Sequence, residues 1–163
     1  MGIMISLKCT KNEKHNETFL IGRGKGFPKI YQQVINSIKK GKYGEEIKQF
    51  LKENPKGAIN CEYKIAQCKK CNHLERVYEL SMYIPRKNYN PDKAIKRYIN
   101  GYDLKTKYKK IKEYQHICPK CKCEMDIVKI KYDEYEDIVG TKKKVKCLQC
   151  DGFMKISYRG RWD

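Results

Sequence analysis

Nine cysteines and three histidines in 163 residues carry most of the chemistry this chain can do. Six of the cysteines fall in three C-x-x-C pairs: Cys68–Cys71, Cys118–Cys121 and Cys147–Cys150. Two intervening residues let both sulfurs converge on one ion from a single tight turn, the spacing of thiolate zinc sites. An odd cysteine count also argues against a fully paired disulfide framework. The strongest constellation is Cys118-Pro119-Lys120-Cys121 followed by Cys147-Leu148-Gln149-Cys150. Four thiolates in that order build a closed tetrahedral site for Zn2+. Gly152, two residues past Cys150, gives the backbone freedom to aim amides at a sulfur. Cys123 is an extra thiol beside the first of these knuckles and is expected to be a bystander.

A second site offers Cys9, Cys68 and Cys71 and needs one more donor. "LKCTKNEKH" (7–15) opens like a zinc knuckle, but Asn12 stands where a second cysteine belongs. A neutral amide oxygen is a hard donor, whereas zinc prefers thiolate or imidazole. Cys61 has suitable chemistry but lies seven residues of strand from Cys68, about 23 Å at ~3.3 Å per residue. His15 is the first choice for the fourth ligand, His73 the second, and an incomplete site the third. Two zinc sites are therefore expected, each contributing folding free energy that a thin core cannot supply alone.

The elements that must position these ligands follow from the pattern. "IMISLKC" (3–9) and "TFLIG" (18–22) are expected strands around the first knuckle. Pro28 opens a helix whose stripe is Ile30, Tyr31, Val34, Ile35 and Ile38, ended by Gly41. A second short helix is expected over 45–53. "INCEYKIAQC" (59–68) alternates as one strand into Cys68, and "HLERVYELSMYI" (73–84) leaves as another. "PRKNYNPDK" (85–93) is a linker candidate. Helices are expected at 94–99 and, capped by Asp103, at 103–114. "MDIVKIKY", the acidic turn "DEYED" and "KKKVKC" form a hairpin joining the last two knuckles.

C-P-x-C, a hairpin and C-x-x-C resemble the zinc-ribbon superfamily, over residues 118–158 and more weakly over 7–84. The whole chain is similar to small bacterial proteins with two such ribbons. The resemblance implies structural zinc in transcription, translation, replication or docking modules. The expected fold class is α+β, with two small zinc-ribbon β-hairpin modules joined and covered by short helices. The expected blocks are 1–84, with a helical insertion at about 28–53, then 85–115 as linker and helices, and 116–163 as the second ribbon.

The net charge of +18 implies a polyanionic partner. Only six of the 37 basic residues are arginine, so phosphate contact without base reading is expected. The densest stretch is 93–114, where Tyr98, Tyr102, Tyr108 and Tyr114 could stack on unpaired bases or could equally be core faces. Interaction with nucleic acid is the first functional expectation. The alternative is an adaptor or inhibitor docking on an acidic protein partner. His15-Asn16-Glu17 before Cys68-x-x-Cys71 echoes the signature of zinc deaminases, but Gln67 replaces the required proline and the context reads as turn and strand. No other nucleophile–base pair is present, so a non-enzymatic protein is expected. Residues 1–20 lack the apolar core of a secretion signal and no run is long enough to span a membrane, making a reducing cytoplasm the expected home.

Overall fold

The computed structural model describes residues 2–23, 26–91, 98–132 and 138–162, without the side chains of Tyr132, Ile138, Val139, Tyr158 and Trp162. The chain divides into two compact units: Met1–Gly24, Tyr63–Val77 and Gln115–Asp163 form one, and Lys25–Glu62 with Tyr78–Tyr114 form the other. This division interleaves the chain, in contrast to the three consecutive blocks expected from composition. The architecture is mixed, with antiparallel strands and, among the described residues, short helices. Among the described residues, no helix is long and apolar enough to cross a membrane.

The first unit is built on one antiparallel sheet. Its strands are β1 (Gly2–Cys9), β2 (Asn16–Gly22), β4 (Tyr63–Cys68), β5 (Leu74–Tyr78), β8 (His116–Ile117), β9 (Glu124–Ile127), β12 (Val145–Lys146) and β13 (Phe153–Trp162). Their order is β12-β13-β1-β2-β4-β9-β8, with β5 paired to β4. With β5 beside β4, the sheet divides into two four-stranded groups, β12-β13-β1-β2 and β8-β9-β4-β5. β1 and β2 match the expected strands around the first knuckle. β13 was not anticipated, yet it pairs with β1 from Gly2↔Trp162 to Cys9↔Met154. The expected strand over 125–132 is broken, since β9 stops at Ile127 and β10 (Ile130–Tyr132) instead pairs with β11 (Ile138–Thr141). The acidic segment 133–137 lies outside the described residues. Ile5, Leu7, Ile21, Ile65, Leu74 and Val145 form one buried cluster around Cys9 and Cys147. Ala66 and Met125 form another around Cys68 and Cys118.

The second unit holds α1 (Phe27–Lys39), α2 (Glu45–Glu53), β3 (Ala58–Ile59), β6 (Met82–Pro85), α3 (Gly101–Lys107) and β7 (Tyr108–Lys112). Both expected amphipathic helices are present, with Tyr31, Val34, Ile35 and Ile38 buried on α1 and Ile47, Phe50 and Leu51 on α2. Gly41 closes α1 at φ +83, a conformation that favours glycine. Two expected long strands are interrupted here. Asn60 Oδ1 accepts the Glu62 amide at 3.1 Å, and its Nδ2 donates to the Glu79 carboxylate at 2.6 Å. Leu80 adopts φ 57 and its amide donates to the Asn60 carbonyl at 2.7 Å. This polar knot turns the chain at 60–62 and 79–81, so 59–68 and 73–84 cannot be continuous strands.

The expected helix 103–114 is likewise corrected. α3 starts earlier and is capped by Asn100, whose Oδ1 accepts the Asp103 amide at 2.8 Å. It ends at Lys107, after which β7 pairs with β6 from Pro85↔Tyr108 to Met82↔Lys112. Tyr108 is inward in either conformation, and the sheet ladder satisfies the backbone, leaving Ile111 47% exposed. The "linker" residue Tyr89 packs on Tyr108 at a ring separation of 5.4 Å, so it belongs to this unit's core. The helix expected at 94–99 falls mostly outside the described residues.

Ile38 has no solvent exposure and sits in the centre of the second unit's core. Ile38→Ala is expected to lower unfolding free energy by about 2–5 kcal/mol, measured as a reduced urea midpoint with unchanged slope.

Candidate metal centres

The first unit brings eight side chains into two clusters that could hold metal ions. One comprises Cys9, His15, Cys147 and Cys150; the other comprises Cys68, Cys71, Cys118 and Cys121. Within each cluster the ligand atoms all lie within 4.8 Å of one another. All eight are residues singled out from the sequence, but the partners are exchanged. Cys118–Cys121 joins Cys68–Cys71 and not Cys147–Cys150. Cys9 and His15 join Cys147–Cys150 and not Cys68–Cys71.

The reason is the sheet. β13, leaving Cys150, pairs with β1, entering Cys9; β9, leaving Cys121, pairs with β4, entering Cys68. The registers coincide. Cys9 lies opposite Met154 and Cys68 opposite Met125, each four residues past the second cysteine of the partner knuckle. The strands entering the second knuckles match as well: Val145↔Met154 and Lys146↔Phe153 correspond to His116↔Met125 and Ile117↔Glu124.

The knuckles repeat the same backbone bonds. Cys9 N–H donates to the His15 carbonyl, and Cys68 N–H to the His73 carbonyl, both at 2.9 Å. Cys147 N–H donates to the Gly152 carbonyl, and Cys118 N–H to the Cys123 carbonyl, both at 2.8 Å. Across each site the residue after the leading cysteine ties the two knuckles: Thr10 N–H to the Phe153 carbonyl at 2.8 Å, and Lys69 N–H to the Glu124 carbonyl at 3.0 Å.

The donor separations suit tetrahedral coordination. Metal–sulfur bonds of about 2.3 Å imply sulfur–sulfur edges of about 3.7 Å. Cys9 and Cys150 sulfurs are 3.5 Å apart, Cys68 and Cys121 3.3 Å, and Cys71 and Cys118 3.7 Å. His15 Nδ1 lies 3.6 Å from the Cys147 sulfur. Backbone amides point at the sulfurs: Lys11 at Cys9, Gln149 at Cys147, and Lys70 and Cys71 at Cys68, each at 3.4 Å. The Lys11 amide pulls the Cys9 thiol down to about 6, and the Cys71 amide does the same for Cys68. The His73 amide favours the Cys71 thiolate, but burial and the sulfurs of Cys121, Cys68 and Cys118 push Cys71 up to about 12. Thiolate charge at such spacing calls for a cation among the sulfurs.

Asn12 occupies the place of the missing cysteine without acting as a ligand. Its Nδ2 lies 3.2 Å from His15 Nε2 and its Oδ1 accepts the Lys14 amide at 3.0 Å, so it braces the ring from behind. His73 stands at the closing position equivalent to His15, but its ring faces Glu75 at 3.8 Å and stays out of the cluster. The first knuckle is one residue longer, and its closing residue, His15, enters the cluster. Cys61 is buried in the second unit's core, where burial raises its thiol and keeps it neutral. Cys123 donates to the Cys121 carbonyl at 3.5 Å and is not in either cluster.

Two residues complete the arrangement that sequence reasoning did not assign this way. Gly152 is a close-approach glycine: a Cβ there would lie 2.7 Å from the Cys9 sulfur and 3.3 Å from the Cys150 sulfur. Gln67, the residue before Cys68, binds the backbone of Lys146, the residue before Cys147. Its Nε2 donates to the Lys146 carbonyl at 2.7 Å and its Oε1 accepts the Lys146 amide at 3.1 Å. Lys11 pairs with Asp151 at 2.7 Å across one site, and Lys69 with Glu124 at 2.6 Å across the other. Comparison with family models, curated proteins and solved structures yields no match.

The exchanged pairing has a direct test in double variants. Cys68→Ser with Cys118→Ser should remove one of two metal equivalents, whereas Cys118→Ser with Cys147→Ser should remove both, as counted by metal analysis after gel filtration. A separate variant, Gly152→Ala, should weaken metal at the His15-containing site by about tenfold or more, because its methyl group overlaps the Cys9 sulfur. The other equivalent should remain unaffected in a chelator titration.

Proposed function

We propose that both clusters hold Zn2+ in closed structural sites of zinc-ribbon type, and that the protein is a non-enzymatic binder of nucleic acid. The observation that carries the zinc assignment is the repeated pair of knuckles, each with matching backbone bonds and donors at tetrahedral spacing. Thiolate and imidazole donors suit zinc, and four protein ligands leave no open position for an activated water. The deaminase echo fails on the same ground, since Glu17 lies in β2 and Cys68–Cys71 serves the other cluster.

Among the described residues of 93–114, three of the four tyrosines are engaged within the second unit. Tyr98 packs on Phe27 with ring centroids 4.7 Å apart, Tyr108 is 1% exposed, and Tyr114 donates to the Tyr43 carbonyl at 3.0 Å. Lys107 pairs with Asp103 and Lys110 with Glu113. Tyr102 is the exception, at 74% exposure. What supports a polyanionic partner instead is a lysine-lined cleft in the first unit, described below, together with the net charge of +18.

Binding of a labelled oligonucleotide should fall steeply with salt. Neutralising about five phosphates gives a log–log slope near −4.5 on duplex and −3.5 on a single strand. Fluorescence anisotropy across 50–300 mM salt measures this directly. No binding at the lowest salt, or binding indifferent to salt, would return the protein to the adaptor class.

A further inference from the structure

A cleft of about 670 Å³ opens in the first unit, lined by Lys131, Lys142, Lys143, Lys144 and Lys155. All five lysines are exposed, and among the described residues none carries an ion pair and no carboxylate joins the lining. Five ammonium groups around one concavity set up a field that draws anions in. A lone phosphate would neutralise too few of them. Anionic membrane is flat and would meet a convex face; a concave groove admits a chain of phosphates. The wall also carries Phe153, with Lys144 Nζ 4.8 Å from its ring centroid. An aromatic face beside cations is what an unpaired base uses for stacking.

The same wall belongs to the metal site. Thr10 lines the cleft and directly follows Cys9; Phe153 lines it and follows Gly152, two residues past Cys150. The two are clamped reciprocally, Thr10 N–H to the Phe153 carbonyl at 2.8 Å and Phe153 N–H to Thr10 Oγ1 at 3.2 Å. Lys144 lies three residues before Cys147. Thr10, Lys144 and Phe153 of the lining thus lie on the segments that carry Cys9, Cys147 and Cys150. Among the described residues, the other cluster contributes none to the lining.

We infer that this cleft is a single-strand nucleic-acid groove whose shape is set by the metal at Cys9, His15, Cys147 and Cys150. The inference takes as given that the protein binds nucleic acid, and adds where, which form and under what control. Metal at this one site holds Thr10 and Phe153 in register, so the groove exists when the site is loaded. By linkage the effect is reciprocal: a bound strand must tighten that metal by the same factor. The other metal, which has no residue in the groove, is left alone. With few arginines in the chain and none in the lining, sequence preference is slight.

The test uses the full-length zinc-loaded protein, a labelled 20-nucleotide oligothymidine, the matching duplex, and polyglutamate as an anionic protein mimic. The quadruple variant K142Q/K143Q/K144Q/K155Q should bind the single strand about tenfold or more weaker at 100 mM salt, with the log–log slope reduced by about 2.8. K105Q/K107Q/K109Q/K110Q, in the second unit, should bind as the parent does. Zinc transfer to a colorimetric chelator should be biphasic, and oligothymidine should slow one equivalent by about fivefold or more. The quadruple cleft variant should lose that protection. Cobalt-loaded protein identifies the protected equivalent by the visible spectrum of its three-sulfur, one-nitrogen site.

Binding undiminished in the cleft variant overturns this inference alone. So does protection of both metals, of neither, or of the four-sulfur site. Tighter binding of duplex or polyglutamate than of the single strand overturns the ligand class. Absence of binding to either nucleic acid overturns the proposed function and this inference together.

Discussion

Everything in the first unit depends on four donor atoms meeting at one point from segments far apart in the chain. In one cluster the sulfurs in contact are 141 residues apart, in the other 53. The entropic difference between closing two such loops is small, about 0.9 kcal/mol from the logarithm of their lengths. Zinc bound by such donors supplies roughly 10–16 kcal/mol. Long-range closure is therefore no obstacle, and chain distance gives no guidance about which knuckles meet. The registers of β1 on β13 and of β4 on β9 decide that, because each brings a leading cysteine opposite the fourth residue past its partner knuckle.

The sheet divides accordingly. One cluster lies at the ends of β12, β13, β1 and β2, the other at the ends of β8, β9, β4 and β5, and β2 pairs with β4 where the two groups meet. Gln67 adds a stitch that ordinary strand pairing does not supply, linking the entry to Cys68 with the entry to Cys147 through two side-chain bonds. Small cores that bury little apolar surface need such fixed points. The buried clusters around Cys9 and Cys68 are each built against the sulfurs of a candidate metal centre, so a metal there would stabilise the same contacts as the core.

The residues of both clusters were legible in the sequence because thiolate chemistry and turn spacing are local. His15 could be found by reach alone, although His73 looked equivalent and does occupy the equivalent closing position. Which knuckles pair was not legible, since neighbouring knuckles in sequence are the natural guess and the 153–162 strand went unrecognised. The two amphipathic helices were read correctly from period alone. The breaks at 60–62 and 79–81 were hidden because alternation continues through them, and the Asn60–Glu79 contact that causes them joins residues 19 apart. At 108–112 the spacing of Tyr108 served helix and strand equally, and pairing with β6 settled it.

The nested order also sets a timetable during synthesis. All four donors of the Cys68-containing site have emerged once Cys121 is made, whereas Cys9 and His15 wait for sulfurs up to 29 residues later. At 5–20 residues per second the ribosome takes a few seconds to cover that stretch. Throughout it, β1 is paired only on its β2 side, and its apolar outer edge offers free amides and carbonyls to any passing strand. The half-built knuckle meanwhile holds Cys9 and His15 without the two sulfurs that complete their cluster. A cell making this protein thus faces its greatest hazard in the interval before β13 arrives to seal the edge.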